Sequence, residues 1–268
     1  MPELLFSVEH LCKEYKAGNR LSKKETKEAV RDVSFVIKES QAVGLVGESG
    51  SGKTTIAKCL DILERPSSGD IKFKGESIFQ FNRKEMKHYR SQVQMVLQDP
   101  YASLDPQKTV EDLIREPLLI HHICPRRETE REVGKIMELV GLPANFKIRY
   151  PHELSGGQRQ RVSIARALSI RPDVLIADEP VSALDVSTQA QILNLLKELK
   201  RELNLTLIFI SHDLAVVKYI CDYMIVLKDG VIVEKGETGK LFANPSSDYF
   251  VNLIQAVPKS SPYNSGQR

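Results

Sequence analysis

The sequence predicts an α/β fold with a mostly parallel sheet, and three features of the chain carry that expectation. Residues 47–55 read GESGSGKTT and fit G-x-x-x-x-G-K-[ST], a phosphate-cradling loop between a strand and a helix. Further apolar runs at 93–97, 174–177 and 205–210 each end in polar residues: Gln98, Asp178 with Glu179, and Ser211 with His212. In a mostly parallel sheet, ligands sit outside the carboxyl ends of the strands, so these groups should converge. Lastly, Ile192, Leu195, Leu196, Leu199 and Leu203 fall at i, i+3, i+4, i+7 and i+11, the stripe of an amphipathic helix over 187–203.

Taken in order, the chain opens with strand signals. Phe6 and Val8 alternate with polar residues and Tyr15 closes that strand; Val33, Phe35 and Ile37 alternate before a polar break at 38–41. Between them, 16–27 is charged and carries Gly18–Asn19, which predicts a hairpin loop facing water. The apolar run 42–46 is a buried strand feeding the phosphate loop, and 54–63, with Ile56, Ala57, Leu60, Ile62 and Leu63, is a helix with one buried side. A turn at 66–69 leads to an alternating strand from Asp70 that Gly75 ends. The segment 99–107 is a Pro-bracketed loop. Helices follow over 109–120 and 126–140, the second with Val133, Ile136, Met137 and Val140 on one stripe; Pro117, and Gly141 with Pro143, supply the breaks. Ser155 with Gln158 three residues on fits a capping box, and opens a helix that runs through Val162, Ala165, Leu168 and Ser169 to Arg171–Pro172. Asp229–Gly230 between apolar runs at 223–227 and 231–233 is a hairpin turn. Beyond Gly236 the chain turns polar, and from Pro258 it reads as a disordered tail.

Composition narrows the function classes. A length of 268 residues with 41% apolar content suits one large domain or a domain with subdomains. The net charge of +3 does not by itself point to nucleic acid. No apolar run reaches the ~20 residues that span a bilayer, and MPELLFSVEH lacks the regions of a signal peptide. The expectation is a cytosolic chain that meets a membrane only by docking to another protein. Cys12, Cys59, Cys124 and Cys221 are scattered without a C-x-x-C, as reduced thiols would be. His121, His122 and Cys124 invite a metal reading but lack a second ligand cluster at metal spacing.

The polar groups divide into roles. Gly47, Glu48, Ser49, Gly50, Ser51 and Gly52 form a loop whose backbone N–H groups turn toward phosphate oxygens, and the helix N-terminus through Thr54 and Thr55 adds further donors. Lys53 would reach the β- and γ-phosphates, and the Thr54 hydroxyl would ligate Mg²⁺. Asp178 suits the same magnesium, which keeps most of its waters. Glu179 should point to the in-line water as general base, and Gln98 could touch both magnesium and water. His212 would either bond the γ-phosphate or hold Glu179 and the water. A strand-terminal Asp, Gln or His is singly an ordinary turn, surface or core residue; their joint occurrence after apolar strands is what argues for a site. The capped helix start at Ser155, Gly156, Gly157 and Gln158 is a second anion site.

On these residues the chain resembles an ATP-binding-cassette ATPase, from Phe6 to about Pro258. GESGSGKTT matches the Walker A motif, Gln98 the Q-loop, LSGGQ at 154–158 the family signature, and VLIADE at 174–179 Walker B with its catalytic Glu179. SALD at 182–185 matches the D-loop and His212 the H-loop, all in the family's order. The resemblance implies a phosphate-loop (RecA-like) ATPase core with an N-terminal antiparallel β subdomain and a helical signature subdomain at about 100–170. That nucleotide-binding domain would cover 1–258, with 259–268 as tail. It also implies ATP and Mg²⁺ as ligands, makes Tyr15 the adenine-stacking aromatic, and brings Asp185 to the nucleotide.

The segment from Gln98 to Pro106, QDPYASLDP, resembles the Q-loop of oligopeptide, dipeptide and nickel importer ATPases, and 150–157 and 244–258 point the same way. That subfamily usually has Asn at the position of Asp105, and His-Pro-Tyr-Thr where this chain reads Ser247-Asp-Tyr-Phe250. The resemblance implies a second cassette, identical or paralogous, whose Ser155–Gln158 segment closes over this chain's Walker A. It further implies two membrane-spanning permease subunits, a solute-binding protein acting indirectly, no nucleic acid, and a place on the cytoplasmic face of the membrane. Soluble cassette ATPases of translation or DNA repair, and cassettes of exporters, are the alternatives; the first usually carry two cassettes or a long coiled coil.

Overall fold

The computed structural model describes residues 3–17 and 25–256. They form two compact units, one of Met1–Met86 with Thr206–Arg268 and one of Lys87–Leu205. The centre of the expected hairpin loop and the expected tail lie outside the described residues.

In the first unit, β1 (Leu4–Ala17) pairs antiparallel with β2 (Glu25–Lys38). The chain then forms β3 (Ala42–Val46), α1 (Lys53–Leu60), β4 (Ser68–Phe73), β5 (Glu76–Ser77) and α2 (Arg83–Gln92), and the unit boundary falls within α2. The first sheet is four-stranded and antiparallel, in the order β2-β1-β4-β5. Its inner face is built from the predicted alternation: Phe6, Val8 and Leu11 oppose Ile37, Phe35 and Val33, all buried. Both strands run further into 16–27 than the charge there suggested. Backbone pairing carries through the charged stretch, with Tyr15 opposite Lys27 and Lys16 opposite Thr26.

Helix α1 ends at Leu60, short of the expected 63, because Ile62 turns into the left-handed region at φ 57°. The Leu63 N–H reaches back to the Lys58 carbonyl and the Ile62 N–H to Cys59, a Schellman closure that leaves Leu63 58% exposed. Helix α2 has no counterpart in the sequence reading. It buries Tyr89 alone, and its signal is the cap: Asn82 Oδ1 accepts from the Lys84 and Glu85 N–H groups while Glu85 accepts from the Asn82 N–H.

The second unit opens with β6 (Val93–Val96), α3 (Pro100–Ser103), α4 (Val110–Ile120) and α5 (Thr129–Leu139). It continues with α6 (Gly156–Leu168), β7 (Val174–Asp178) and α7 (Val186–Leu203). Strands β6 and β7 are parallel, with Val93 opposite Val174 and Val96 opposite Ala177. The loop expected at 99–107 holds the single turn α3, capped by Asp99. Pro117 does not break α4 but lies inside it, since φ near −65° is helical and the buried stripe Val110, Leu113, Ile114 and Leu118 outweighs the lost N–H. The segment 126–128 is a 3₁₀ turn before α5. The α7 stripe is buried through Leu199, but Leu203 at the helix end is 42% exposed.

The first unit is completed by β8 (Thr206–Ser211), α8 (Leu214–Ile220), β9 (Tyr223–Lys228), β10 (Val231–Glu237), α9 (Thr238–Ala243) and α10 (Asp248–Ala256). Strand β3 lies parallel to both β8 and β9, and β10 is antiparallel to β9. All five residues of β3 are buried, as a central parallel strand requires. The β9–β10 turn has Asp229 and Gly230 at φ 48° and 82°, a type I′ hairpin. All four cysteines are free, and burial pushes the Cys59 thiol up to about 11. No helix among the described residues is long and apolar enough to cross a membrane.

Helices α9 and α10 correct the expectation of a merely polar stretch beyond Gly236. The stretch holds an apolar anchor: Phe250 is 0% exposed and meets Phe242 edge-on at 5.6 Å. Phe250→Ala should lower stability by ~3–5 kcal/mol, read as a lower urea midpoint. An unchanged midpoint would mean that α10 is not packed.

Candidate functional site

In the first unit, the parallel register sets the site. Val46 pairs with Ser211 on β8 and Val226 on β9, so the phosphate loop and His212 leave the same sheet edge. The loop then turns through conformations that only glycine tolerates. Gly52 sits at φ 101° as the residue before α1, and a Cβ there would stand 2.5 Å from the Ala29 carbonyl oxygen of β2. At Gly47 (φ 149°) a Cβ would stand 2.1 Å from the Leu227 carbonyl oxygen. The loop is thus pressed between backbone of β2 and of β9.

Further bonds fix it. The Gly230 N–H donates to the Ser51 carbonyl at 3.2 Å, and the Arg31 N–H to the Gly230 carbonyl at 2.7 Å. Lys53 is buried, and its Nζ donates to the Gly47 and Glu48 carbonyls at 2.8 and 2.7 Å. Glu48, Ser49 and Gly50 are exposed at the tip. An open cleft is lined by Tyr15, Lys27, Ala29, Gly50, Gly52, Lys53, Thr54 and Thr55. Tyr15 therefore shares one wall with the loop and α1, although 38 residues separate it from Lys53. Its ring is half-buried, with Lys13 Nζ 5.0 Å from the centroid.

Two neighbours of the loop escaped sequence reasoning. Lys27 enters the cleft because it pairs with Tyr15 across the ribbon, and Tyr249 Oη accepts the Glu48 N–H at 3.1 Å. Neither carries a local motif; only strand register, for Lys27, could have been anticipated.

The second unit gathers the other polar residues. Asp178 is 3% exposed at the end of β7. Glu179 follows at φ 45°, a left-handed turn that a non-glycine residue holds at a cost of about 1–3 kcal/mol. The turn is held by the Ser182 N–H and hydroxyl, which donate to the Glu179 carbonyl at 3.2 and 3.1 Å. Gln98, two residues after β6, donates through Nε2 to Glu179 Oε2 at 3.0 Å. Sequence reasoning placed these two at one site, and the β6–β7 pairing brings them into contact.

At the start of α6 the capping box is formed: Ser155 Oγ accepts the Gln158 N–H at 3.3 Å, and Gln158 Oε1 accepts the Ser155 N–H at 2.9 Å. Gly156 lies against Leu184 and Gly157 against Thr188, so this helix start sits beside that of α7. Asp185 caps α7. Hydroxyl bonds from Ser187 at 2.6 Å and Thr188 at 2.7 Å, with the Thr188 N–H at 3.0 Å, hold its carboxyl well below the usual carboxylate range. Its carboxylate oxygens thus cap α7. The Q-loop turn α3 also rests on α6, through Arg166 Nη1 to the Ser103 carbonyl at 2.9 Å and the Arg159 guanidinium 5.7 Å from the Tyr101 ring.

Comparisons with known proteins agree with this chemistry. The ABC transporter family matches residues 30–182. The oligopeptide transport ATP-binding protein OppF of Bacillus subtilis is 44% identical over 264 residues, covering 98% of this chain and 85% of that protein. The glutathione import ATP-binding protein GsiA of Pectobacterium atrosepticum is 46% identical over 97% of this chain, which spans 42% of that longer protein. Among solved structures, the dimeric ATP-binding cassette MJ0796, in a post-hydrolysis state bound to ADP and Pi, has a TM-score of 0.77 at 30% identity, over 87% of this chain and 99% of that one.

Base–aromatic stacking contributes ~1–3 kcal/mol per base. Tyr15→Ala should accordingly weaken binding of a fluorescent ATP analogue by roughly tenfold or more, while Tyr15→Phe keeps the ring and the affinity. Equal affinity in all three proteins would remove Tyr15 from the base site.

Proposed function

This chain belongs to the ABC transporter family as an ATP-binding, ATP-hydrolysing subunit, and from that premise we propose that it powers the import of peptides through membrane permease partners. The first unit grips the triphosphate: the N–H groups of 47–55 face phosphate oxygens, Lys53 reaches the β- and γ-phosphates, and Tyr15 stacks on adenine. Glu179, Gln98 and His212 are the hydrolytic groups. Glu179 takes the proton of the attacking water, and Gln98 orients its carboxylate. His212 bonds the γ-phosphate or steadies the water. The hydrogen bond of Gln98 to Glu179 at 3.0 Å is the observation that carries this assignment.

The oxygen donors Thr54, Asp178 and Gln98 suit Mg²⁺, a hard cation that prefers such ligands and retains waters. When bound, it would neutralise charge on the β- and γ-phosphates. Thr54 stands in the first turn of α1 and Asp178 is buried at a strand end, so both carry their oxygens on rigid elements.

Ser155, Gly156, Gly157 and Gln158 at the start of α6 offer N–H donors and a partial positive charge. In the proposed assembly they close over the γ-phosphate held by a second cassette, identical or paralogous. Hydrolysis removes that bridge and lets the pair open. The dimeric MJ0796 cassette supports the two-cassette arrangement. The permease contact would fall on the Gln98 loop and α3, placing the chain on the cytoplasmic face, with a solute-binding protein acting through the permeases.

Peptide as the solute is supported by the relatives, one named for oligopeptide transport and one for import of glutathione, itself a tripeptide. The same names argue against the translation, repair and exporter readings. Asp105 and the Ser247-Asp-Tyr-Phe250 run remain this chain's departures from the importer subfamily.

Two expectations follow for the complex with its permeases. Glu179→Gln should retain ATP binding and lose hydrolysis by ~10²–10⁴-fold, the worth of a positioned base; turnover near the wild-type rate would refute the base assignment. Ser155→Arg should leave ATP affinity of its own phosphate loop intact and abolish permease-stimulated turnover and labelled-peptide uptake. Full turnover would end the shared-site reading, and uptake of peptides unaffected by loss of the chain would end the solute reading.

A further inference from the structure

Helix α10 of the first unit reaches back to the phosphate loop across 201 residues of sequence, through a hydrogen bond. The Glu48 N–H donates to Tyr249 Oη at 3.1 Å, while the Glu48 carbonyl accepts from Lys53 Nζ at 2.7 Å. The peptide groups on both sides of Glu48 are thus held, one by Tyr249 and the other by the phosphate-binding lysine. The Gly47 carbonyl, which belongs to the same peptide group as the Glu48 N–H, also accepts from Lys53 Nζ, at 2.8 Å. Rotation of that peptide would carry away an acceptor of Lys53 together with the N–H that Tyr249 receives.

Tyr249 is itself firmly placed. Lys228 Nζ lies 5.0 Å from its ring centroid, and the next residue, Phe250, is wholly buried. One turn earlier, the Glu234 carboxylate on β10 accepts the Ser246 N–H at 2.8 Å, the Ser247 N–H at 3.0 Å and the Ser247 hydroxyl at 2.8 Å. Burial pushes the Glu234 carboxyl up, but these Ser246 and Ser247 donors outweigh it and hold it below its ordinary value. Burial also raises the Tyr249 phenol, so its oxygen stays neutral at physiological pH.

We propose that Tyr249 is a positioning residue for the phosphate loop, acting through Glu48 on Lys53, and that α10, anchored by Glu234, is the strap that transmits its own docking to nucleotide affinity. The inference rests on the ATPase assignment and is independent of the peptide reading. A tyrosine that merely packed would do so with its ring, and phenylalanine would replace it without effect. The hydroxyl is what reaches the loop.

The test is steady-state hydrolysis and ATP titration with the full chain and its partners, comparing wild type, Tyr249→Phe, Tyr249→Ala and Glu234→Ala. A net hydrogen bond of ordinary strength predicts that Tyr249→Phe raises KM and Kd for ATP by about fivefold, with kcat unchanged. Glu234→Ala should raise KM in the same sense, and the double variant should be no worse than Tyr249→Phe, because both act along one route. A Tyr249→Phe protein with wild-type KM and Kd, or a loss confined to Tyr249→Ala, would overturn the positioning role. Additive effects in the double variant would overturn the strap. ATP binding by the wild-type chain, the baseline of the comparison, tests the ATPase assignment separately.

Discussion

The backbone of the phosphate loop has no room for a side-chain carbon at two points, and the first unit is arranged to make that so. Ala29 of β2 closes on Gly52 and Leu227 of β9 closes on Gly47. Each contact comes from a different sheet, so the loop records the placement of both. The antiparallel ribbon that supplies Ala29 also supplies Tyr15 and Lys27 to the same cleft. The β9–β10 hairpin that carries Leu227 also bonds Ser51 through Gly230. Three backbone contacts, from residues distant in sequence from the loop, therefore converge on 47–55. Such over-determination holds the loop to a path that only glycine follows without strain.

The second unit shows the same logic in a smaller compass. Glu179 pays for a left-handed backbone with bonds from Ser182, and its carboxylate is then within reach of Gln98. The turn that follows ends at Asp185, whose cap fixes the start of α7 beside the start of α6. The segment after Gln98 leans on α6 through Tyr101 and Ser103. A displacement of the turn after Gln98 would thus be felt both at the Glu179 carboxylate and at the helix that begins with LSGGQ, by contacts within one unit.

What the sequence disclosed follows from how local each signal is. The loop, the strand ends and the Ser155–Gln158 box depend on spacing within a few residues, and they stand where spacing put them. Helix α7 was legible because five apolar residues share one face, although its last, Leu203, lies beyond the core. Helix α2 was not legible because it hangs on one buried aromatic, Tyr89, in a polar stretch, and α10 was passed over although Phe250, Leu253 and Ile254 fall at i, i+3 and i+4, because it is short and follows the polar run 244–248. The contacts of Tyr249 and Lys27 with the loop arise from tertiary placement and strand register. Pro117 shows the converse error, in which a strong local signal yields to packing.

The central claim is that the glycine-only path of the loop, pressed against β2 and β9, is what binds the nucleotide. Calorimetric titration of MgATP into Gly52→Ala measures it most directly, because the added methyl group would stand 2.5 Å from the Ala29 carbonyl oxygen and must displace the loop. The account predicts a fold intact by circular dichroism with ATP binding lost. Wild-type affinity in that protein would contradict it.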